Sequence, residues 1–276
     1  MTLLFSFVFF CFNVMAQQNY KITYRHNLQL DTLKSLKDTI GKEATLIGNS
    51  QESNYSFAKA LSKKMPLQNN NTKTLEELEK SKQSGTAIGK IDGAVYDSIG
   101  NMVYHNKKNK LLFVREKMIR EYVVTEEPSP VINWTIASDT RIIKNYTCKK
   151  ATCHFRGRDY IAWFTTDVPI VAAPWKFVGL PGLLMDIEDS RHQVKIYVEK
   201  IDFPAIESVP RFVNKGTKIS LLQYFTFKNE EYKKYLLGLE LAQMQQDGIQ
   251  EIIANGGVKP TVTSKSTLYG IEIRID

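Results

Sequence analysis

Two thiols and an imidazole fall close together in the chain, at Cys148, Cys153 and His154. Thiolate and imidazole are ligands for Zn or Cu, and a thiolate beside a base and an orienting carboxylate, here Asp159 or Asp167, is the usual composition of a nucleophilic site. The spacing argues against both. A metal centre needs a fourth ligand, none is identifiable nearby, and the other histidines, His26, His105 and His192, show no HxH or HExxH spacing. Six residues separate Cys148 from His154 on what reads as a hairpin, and such dyads are defined by geometry that the sequence does not supply. No catalytic residue, metal or cofactor is therefore assigned. A thiol-dependent enzyme or a soft-metal binding protein using Cys148, Cys153 and His154 stands as the alternative function. Cys148 and Cys153 form an even pair once Cys11 is set aside, so a disulfide is open to them in an exported protein. Five residues apart on one strand they would point to opposite faces, and a bond would need a turn or bulge between them.

The second feature is apolar. Ala173-Pro174-Trp175-Lys176-Phe177-Val178-Gly179-Leu180-Pro181-Gly182-Leu183-Leu184 lies between two strand-like runs. Pro181 fixes φ and Gly182 is expected at φ > 0 as the third residue of a tight turn, throwing Leu180, Leu183 and Leu184 onto apolar surfaces. The plainer reading is a turn that re-enters the core. The functional reading is an apolar groove beside that turn, walled by aromatic residues. The candidate functional surface comprises Trp163, Phe164, Trp175, Phe177, Gly179, Leu180, Pro181, Gly182, Leu183 and Leu184. Arg156 and Arg158 flank Gly157 and could hold an anion, although a solvated turn is the simpler expectation. Gly85, Gly89 and Gly93 lack the Lys-Ser/Thr ending of a phosphate loop.

The elements that must position these residues are strands. Tyr20 to Arg25 alternates large apolar with polar residues, and 44–48 and 54–57 read as two more strands. Met102 to His105 and Leu111 to Val114 form a hairpin about Asn106 to Asn109, continued by Ile119 to Thr125 and ended by Pro128 and Pro130. Four short strands are then expected at 134–136, 141–143 with Tyr146, 151–156 and 160–164, with turns at Ser138-Asp139, Lys149-Lys150 and Gly157 to Asp159. Leu183 to Ile187 and Gln193 to Val198 add two more. A polar helical or loop insertion is expected near 67–85 and a helix at 229–246, followed by a strand-and-tail segment from Val258. The fold class is mainly β: a single antiparallel domain at 17–276 with one or two peripheral helices.

Composition sets the compartment and limits the partners. Leu3 to Phe12 is an apolar run too short to span a bilayer as a helix, and Val14-Met15-Ala16 offers a peptidase site, so residues 1–16 are expected to be a signal peptide despite the lack of Lys or Arg before the run. Phe9 and Phe10 before Cys11 argue against lipid attachment there. No later segment is apolar enough for a transmembrane span, and an exported location follows: periplasmic, envelope-associated or extracellular. The chain has 37 Lys and Arg against 29 Asp and Glu, a net charge of +8 that is scattered along its length. With no basic stripe interleaved with aromatics, nucleic acid is not an expected partner.

Gly179-Leu180-Pro181-Gly182-Leu183-Leu184 resembles the hexapeptide that names the GLPGLI family of Bacteroidetes envelope proteins, with Leu184 where the family usually has Ile. Tyr146, Cys148, Lys150-Ala151, Gly157-Arg158, Ala162-Trp163-Phe164-Thr165 and Pro169 resemble its approach to that motif. Trp134 to Asp189 carries the detailed likeness; Ala173 replaces a common Gly, and Cys153 is not part of the pattern. The resemblance implies a secreted or periplasmic protein of unknown function and carries no catalytic residue across. By analogy of pattern it also implies a curved sheet like a lipoprotein-carrier half-barrel. The expected function is non-enzymatic binding or assembly with an envelope protein, a peptide or a hydrophobic ligand.

Overall fold

Burial alternates with period two along the first strand: Tyr20, Ile22, Tyr24 and His26 are buried while Lys21, Thr23 and Arg25 between them are half-exposed. That is the pattern of a strand with one face on a core. The computed structural model describes residues 18–28, 42–58, 76–77, 79–80, 97–118 and 121–230. Within them lie β1 (Asn19–Leu28), β2 (Lys42–Gly48), β3 (Glu52–Phe57), β4 (Asn101–Asn106), β5 (Leu111–Lys117) and β6 (Tyr122–Pro128). They are followed by β7 (Thr135–Ile143), β8 (Tyr146–Phe155), β9 (Arg158–Thr165), β10 (Leu183–Asp189), β11 (Val194–Ala205) and β12 (Thr217–Lys218). The proposed signal peptide at 1–16, residues 231–246 of the helix expected at 229–246 and the segment from Val258 lie outside the described residues.

All 12 strands join one sheet in the order β12-β6-β5-β4-β3-β2-β1-β11-β10-β9-β8-β7. It is two antiparallel meanders, β1 to β6 and β7 to β11, fused where β1 pairs with β11. β12 alone runs parallel to its neighbour, β6. The fold is mainly β, as the alternation predicts.

The order forces curvature. β6 and β7 are consecutive in the chain but ten strand positions apart, which in a flat sheet would separate them by about 48 Å. Seven residue steps from Pro128 to Thr135 reach at most about 25 Å. The sheet therefore curls into an open half-barrel, its edges unpaired with each other. The register defines the concave face: Tyr20, Gly48, Ser53, His105, Leu112 and Glu127 form one row across six strands, and Ile22, Leu46, Tyr55, Val103, Val114 and Thr125 form the next.

The core is not sheet alone. Ile170, Ala172, Trp175, Phe177 and Leu180, from the segment between β9 and β10, are buried in the same cluster as the concave strand residues. On the convex face the chain after β11 covers the first meander. Phe212 packs on Phe113 and Tyr104, and the Asn54 amide donates to the Pro210 carbonyl at 2.9 Å. A helix at 221–230 adds a small second cluster through Tyr224, Phe225, Val123 and Met118. Residues 76–77 and 79–80 are helical and exposed, with Lys80 and Glu76 paired at 2.7 Å.

Two expected turns are absent. Ser138-Asp139 lies in a bulge within continuous β7, where register slips between Ile136 and Thr140, and Lys149-Lys150 lies in mid-β8. The reversal occurs at Lys144-Asn145, both with positive φ. Polar residues break a strand only where they must be buried, and β7 is an edge strand exposed along most of its length. The described residues end in a helix at 221–230, a stretch for which the sequence carries no helical expectation before Asn229.

Candidate functional site

The Gly-Leu-Pro-Gly segment is built differently from the expected turn. Gly182 does not adopt positive φ; Gly179 does, at 99°. Gly182 is instead constrained by proximity: a Cβ there would sit 2.1 Å from the carbonyl oxygen of Thr165 on β9. The chain can enter β10 beside β9 only if this position has no side chain. Ala172 completes the return, donating to the Gly182 carbonyl at 3.2 Å and accepting from the Leu184 amide at 2.9 Å. Trp134, at the end of the crossover from β6, donates its indole N–H to the Val178 carbonyl at 2.8 Å and lies against Gly179. Tyr24 of β1 donates to the Leu184 carbonyl at 2.9 Å, where the β9/β10 register slips before Asp186. These ties hold residues 169–184 as a plug inside the half-barrel.

The plug does not fill it. A cavity of about 500 Å3 remains between the plug and the inner faces of β1 to β4, within the size range of ligand pockets. Its apolar wall includes Leu46, Val103, Ile170, Trp175, Phe177 and Leu180. Trp175 and Phe177 continue into an aromatic cluster with Phe155 and Tyr160, at centroid distances of 4.9 to 6.1 Å.

One end of the cavity is polar, at the β2–β3 and β4–β5 turns. Lys107 Nζ donates to the Asn49 carbonyl at 2.6 Å and to Tyr20 Oη at 3.3 Å. Burial without a nearby carboxylate pushes its ammonium down to about 8. His105 is held low, at about 4, by burial first and the Lys107 charge second, so its ring is neutral at pH 7. Burial pushes the Tyr20 phenol well up. Gly48 makes room for it, since a Cβ there would lie 2.4 Å from Tyr20 Oη.

Across the concave face the same inner row ends in a buried charge cluster. Glu127 of β6, 1% exposed, pairs through Oε2 with Arg156 at 2.9 Å and through Oε1 with Lys176 at 2.5 Å. The first ties β6 to the β8–β9 turn and the second ties it to the plug. Arg158 is equally buried and donates to Asp189 at 2.6 Å and Gln193 at 2.7 Å, while Asp189 Oδ1 accepts the amides of Gln193 and Val194. The Arg156-Gly157-Arg158 turn is thus not solvated. Both guanidiniums are structural clamps, each already holding a carboxylate of the fold.

The predicted surface residues divide into groups. Trp175, Phe177, Gly179 and Leu180 line the cavity. Phe164, Gly182, Leu183 and Leu184 are buried beneath it and Pro181 is exposed. Trp163 faces the convex side, under the guanidinium of Arg141 at 4.3 Å, with Arg141 paired to Asp186. Neither Cys148 nor Cys153 is in a disulfide, and both are buried. The register of β8 against β9 is uninterrupted, so the two thiols point to opposite faces and no bulge brings them together. His154 is exposed and paired with Asp159 at 2.6 Å, roughly 20 Å along the strand from Cys148. The three residues do not converge on a common site. Lys107, Tyr20, Glu127 and Lys176 were not singled out by sequence, because each acquires its role from partners tens of residues away.

A family model described as a protein of unknown function (Porph_ging) matches residues 157–186, from the β8–β9 turn through the plug to the first half of β10. No curated protein sequence matches the chain. Among solved structures, PNGF-II in space group P21 is similar at 16% identity and TM-score 0.48, over 78% of this chain and 33% of that one. The same protein in space group C2 gives 17% identity and TM-score 0.47 over the same shares. The chain spans about a third of the length of those structures.

Proposed function

We propose that the protein is an exported envelope protein that binds a hydrophobic or peptide-like partner in the cavity between its plug and its concave sheet, without chemistry on that partner. The observation that carries this reading is the roughly 500 Å3 apolar space against Gly179 and Leu180, beside the segment that resembles a family of unknown function. Burying apolar ligand surface there supplies the binding energy, about 25 cal/mol per Å2 removed from water. Export is supported by the apolar run at Leu3 to Phe12 and the small residue Ala16. Among the described residues no helix is long and apolar enough to cross a membrane.

The test is uptake of a neutral apolar fluorophore, N-phenyl-1-naphthylamine, by the mature chain. Saturable one-to-one binding that is lost in Ala173→Phe, which fills the space from the plug side, supports the reading. Absence of saturable binding in a folded wild-type protein overturns it. Mass spectrometry of the protein secreted by its host should find Gln17 at the N-terminus.

A further inference from the structure

Among the described residues Lys107 is the one charged side chain in the cavity lining, and no carboxylate of those residues pairs with it. Its two partners, the Asn49 carbonyl and Tyr20 Oη, are neutral, and an ammonium has three N–H donors. One donor therefore remains directed at neither. Around this cation are further neutral polar groups, Ser53, His105 and Asn49, and beyond them the wall turns aliphatic and aromatic. The buried acids among the described residues lie elsewhere and are engaged: Glu127 by Arg156 and Lys176, Asp189 by Arg158.

We infer that the cavity selects an aliphatic monocarboxylate, its carboxylate seated on Lys107 Nζ beside Tyr20 and its chain laid along Leu46, Val103, Ile170 and Leu180. This deepens the proposed binding function and rests on it. A cation partly removed from water is costly unless an anion joins it, and the pair strengthens as the chain excludes solvent. One ammonium with neutral neighbours matches one negative charge. A phosphate dianion would call for the forked donors of arginine, and the cavity lining contains no arginine among the described residues. The polar end is narrow in chemistry but the apolar wall has no directional group, so the head fixes orientation and the chain length stays loosely specified.

The experiment uses the full mature chain with dodecanoate, dodecanol and dodecyltrimethylammonium, each below its aggregation limit, followed by isothermal titration. Dodecanoate should bind at least about tenfold more tightly than dodecanol, the difference one charge-assisted hydrogen bond makes, and the cationic amphiphile most weakly. Lys107→Gln should reduce dodecanoate to the affinity of dodecanol while leaving dodecanol unchanged. Lys107→Arg should retain the preference for the acid, and circular dichroism establishes that each variant is folded. Equal affinity of the wild type for acid and alcohol overturns the carboxylate inference and leaves the apolar cavity standing. Failure of both to bind overturns the inference together with the proposed function.

Discussion

Gly182 and Thr165 are in contact so close that the carbonyl oxygen of Thr165 occupies the space where a Cβ on Gly182 would begin, 2.1 Å away. The obstacle is backbone on an adjacent strand, which cannot rotate aside. Gly182→Ala should therefore cost at least about 3 kcal/mol, at the high end for overpacking. Gly179→Ala meets only strained φ and side-chain contact at 3.5 Å, a cost of about 1 kcal/mol. Urea unfolding of the two variants checks the order; a Gly179 variant as damaged as the Gly182 variant would contradict it.

The Glu127 cluster gives an asymmetric prediction. Glu127→Gln leaves two buried cations, Arg156 and Lys176, facing a neutral amide, and should cost about 3–5 kcal/mol. Lys176→Met leaves Glu127 its Arg156 partner and should cost about 1–3 kcal/mol. Chemical denaturation at pH 7 is the measurement, and equal losses would show that Arg156 alone does not hold the carboxylate.

His26 makes the fold sensitive to acid. Its ring is buried, with Nδ1 at 3.1 Å from Tyr55 Oη and Nε2 without a hydrogen-bond partner among the described residues. Burial lowers it from 6.5 to about 3. Between those values the unfolded chain binds a proton that the folded chain does not, so stability is full above pH 6.5 and is lost as pH falls toward 3. By pH 5 the loss from this residue is about 2 kcal/mol. The urea midpoint should drop between pH 7 and pH 5, and the drop should shrink in His26→Gln. An unchanged drop in that variant would assign the acid sensitivity to other groups.

The thiols should behave as separate, inert side chains. Alkylation under denaturing, non-reducing conditions should modify both Cys148 and Cys153, whereas the native protein should react slowly at either, since burial shields both and pushes the Cys148 thiol up. Peptide mapping would reveal a disulfide as a cross-linked pair that resists alkylation.

Much of the sheet was legible because side-chain alternation is local. The Tyr20 strand, the 111–114 strand and the two strands after the plug carry alternating burial in consecutive residues. The expected turns of β7 and β8 fall on adjacent polar residues that the strands leave exposed or half-exposed rather than buried. The plug was visible as a motif, but its Gly182 was assigned to turn chemistry because a clash with Thr165 exists only once β9 and β10 are paired. The polar end of the cavity left no local trace. Lys107 reads as one basic residue in a turn, and Tyr20 as one aromatic in a strand, until the register sets them side by side 87 residues apart.

The crossover from β6 to β7 has one more consequence. It acts as a bowstring: the half-barrel cannot relax outward while a chord of six residues joins its rims, and the interior space is therefore governed by a stretch that is not part of its walls. Splicing extra length between Ser129 and Val131 should slacken the bow, withdraw Trp134 from the carbonyl of Val178, and let the interior widen or collapse without altering any residue that faces a ligand.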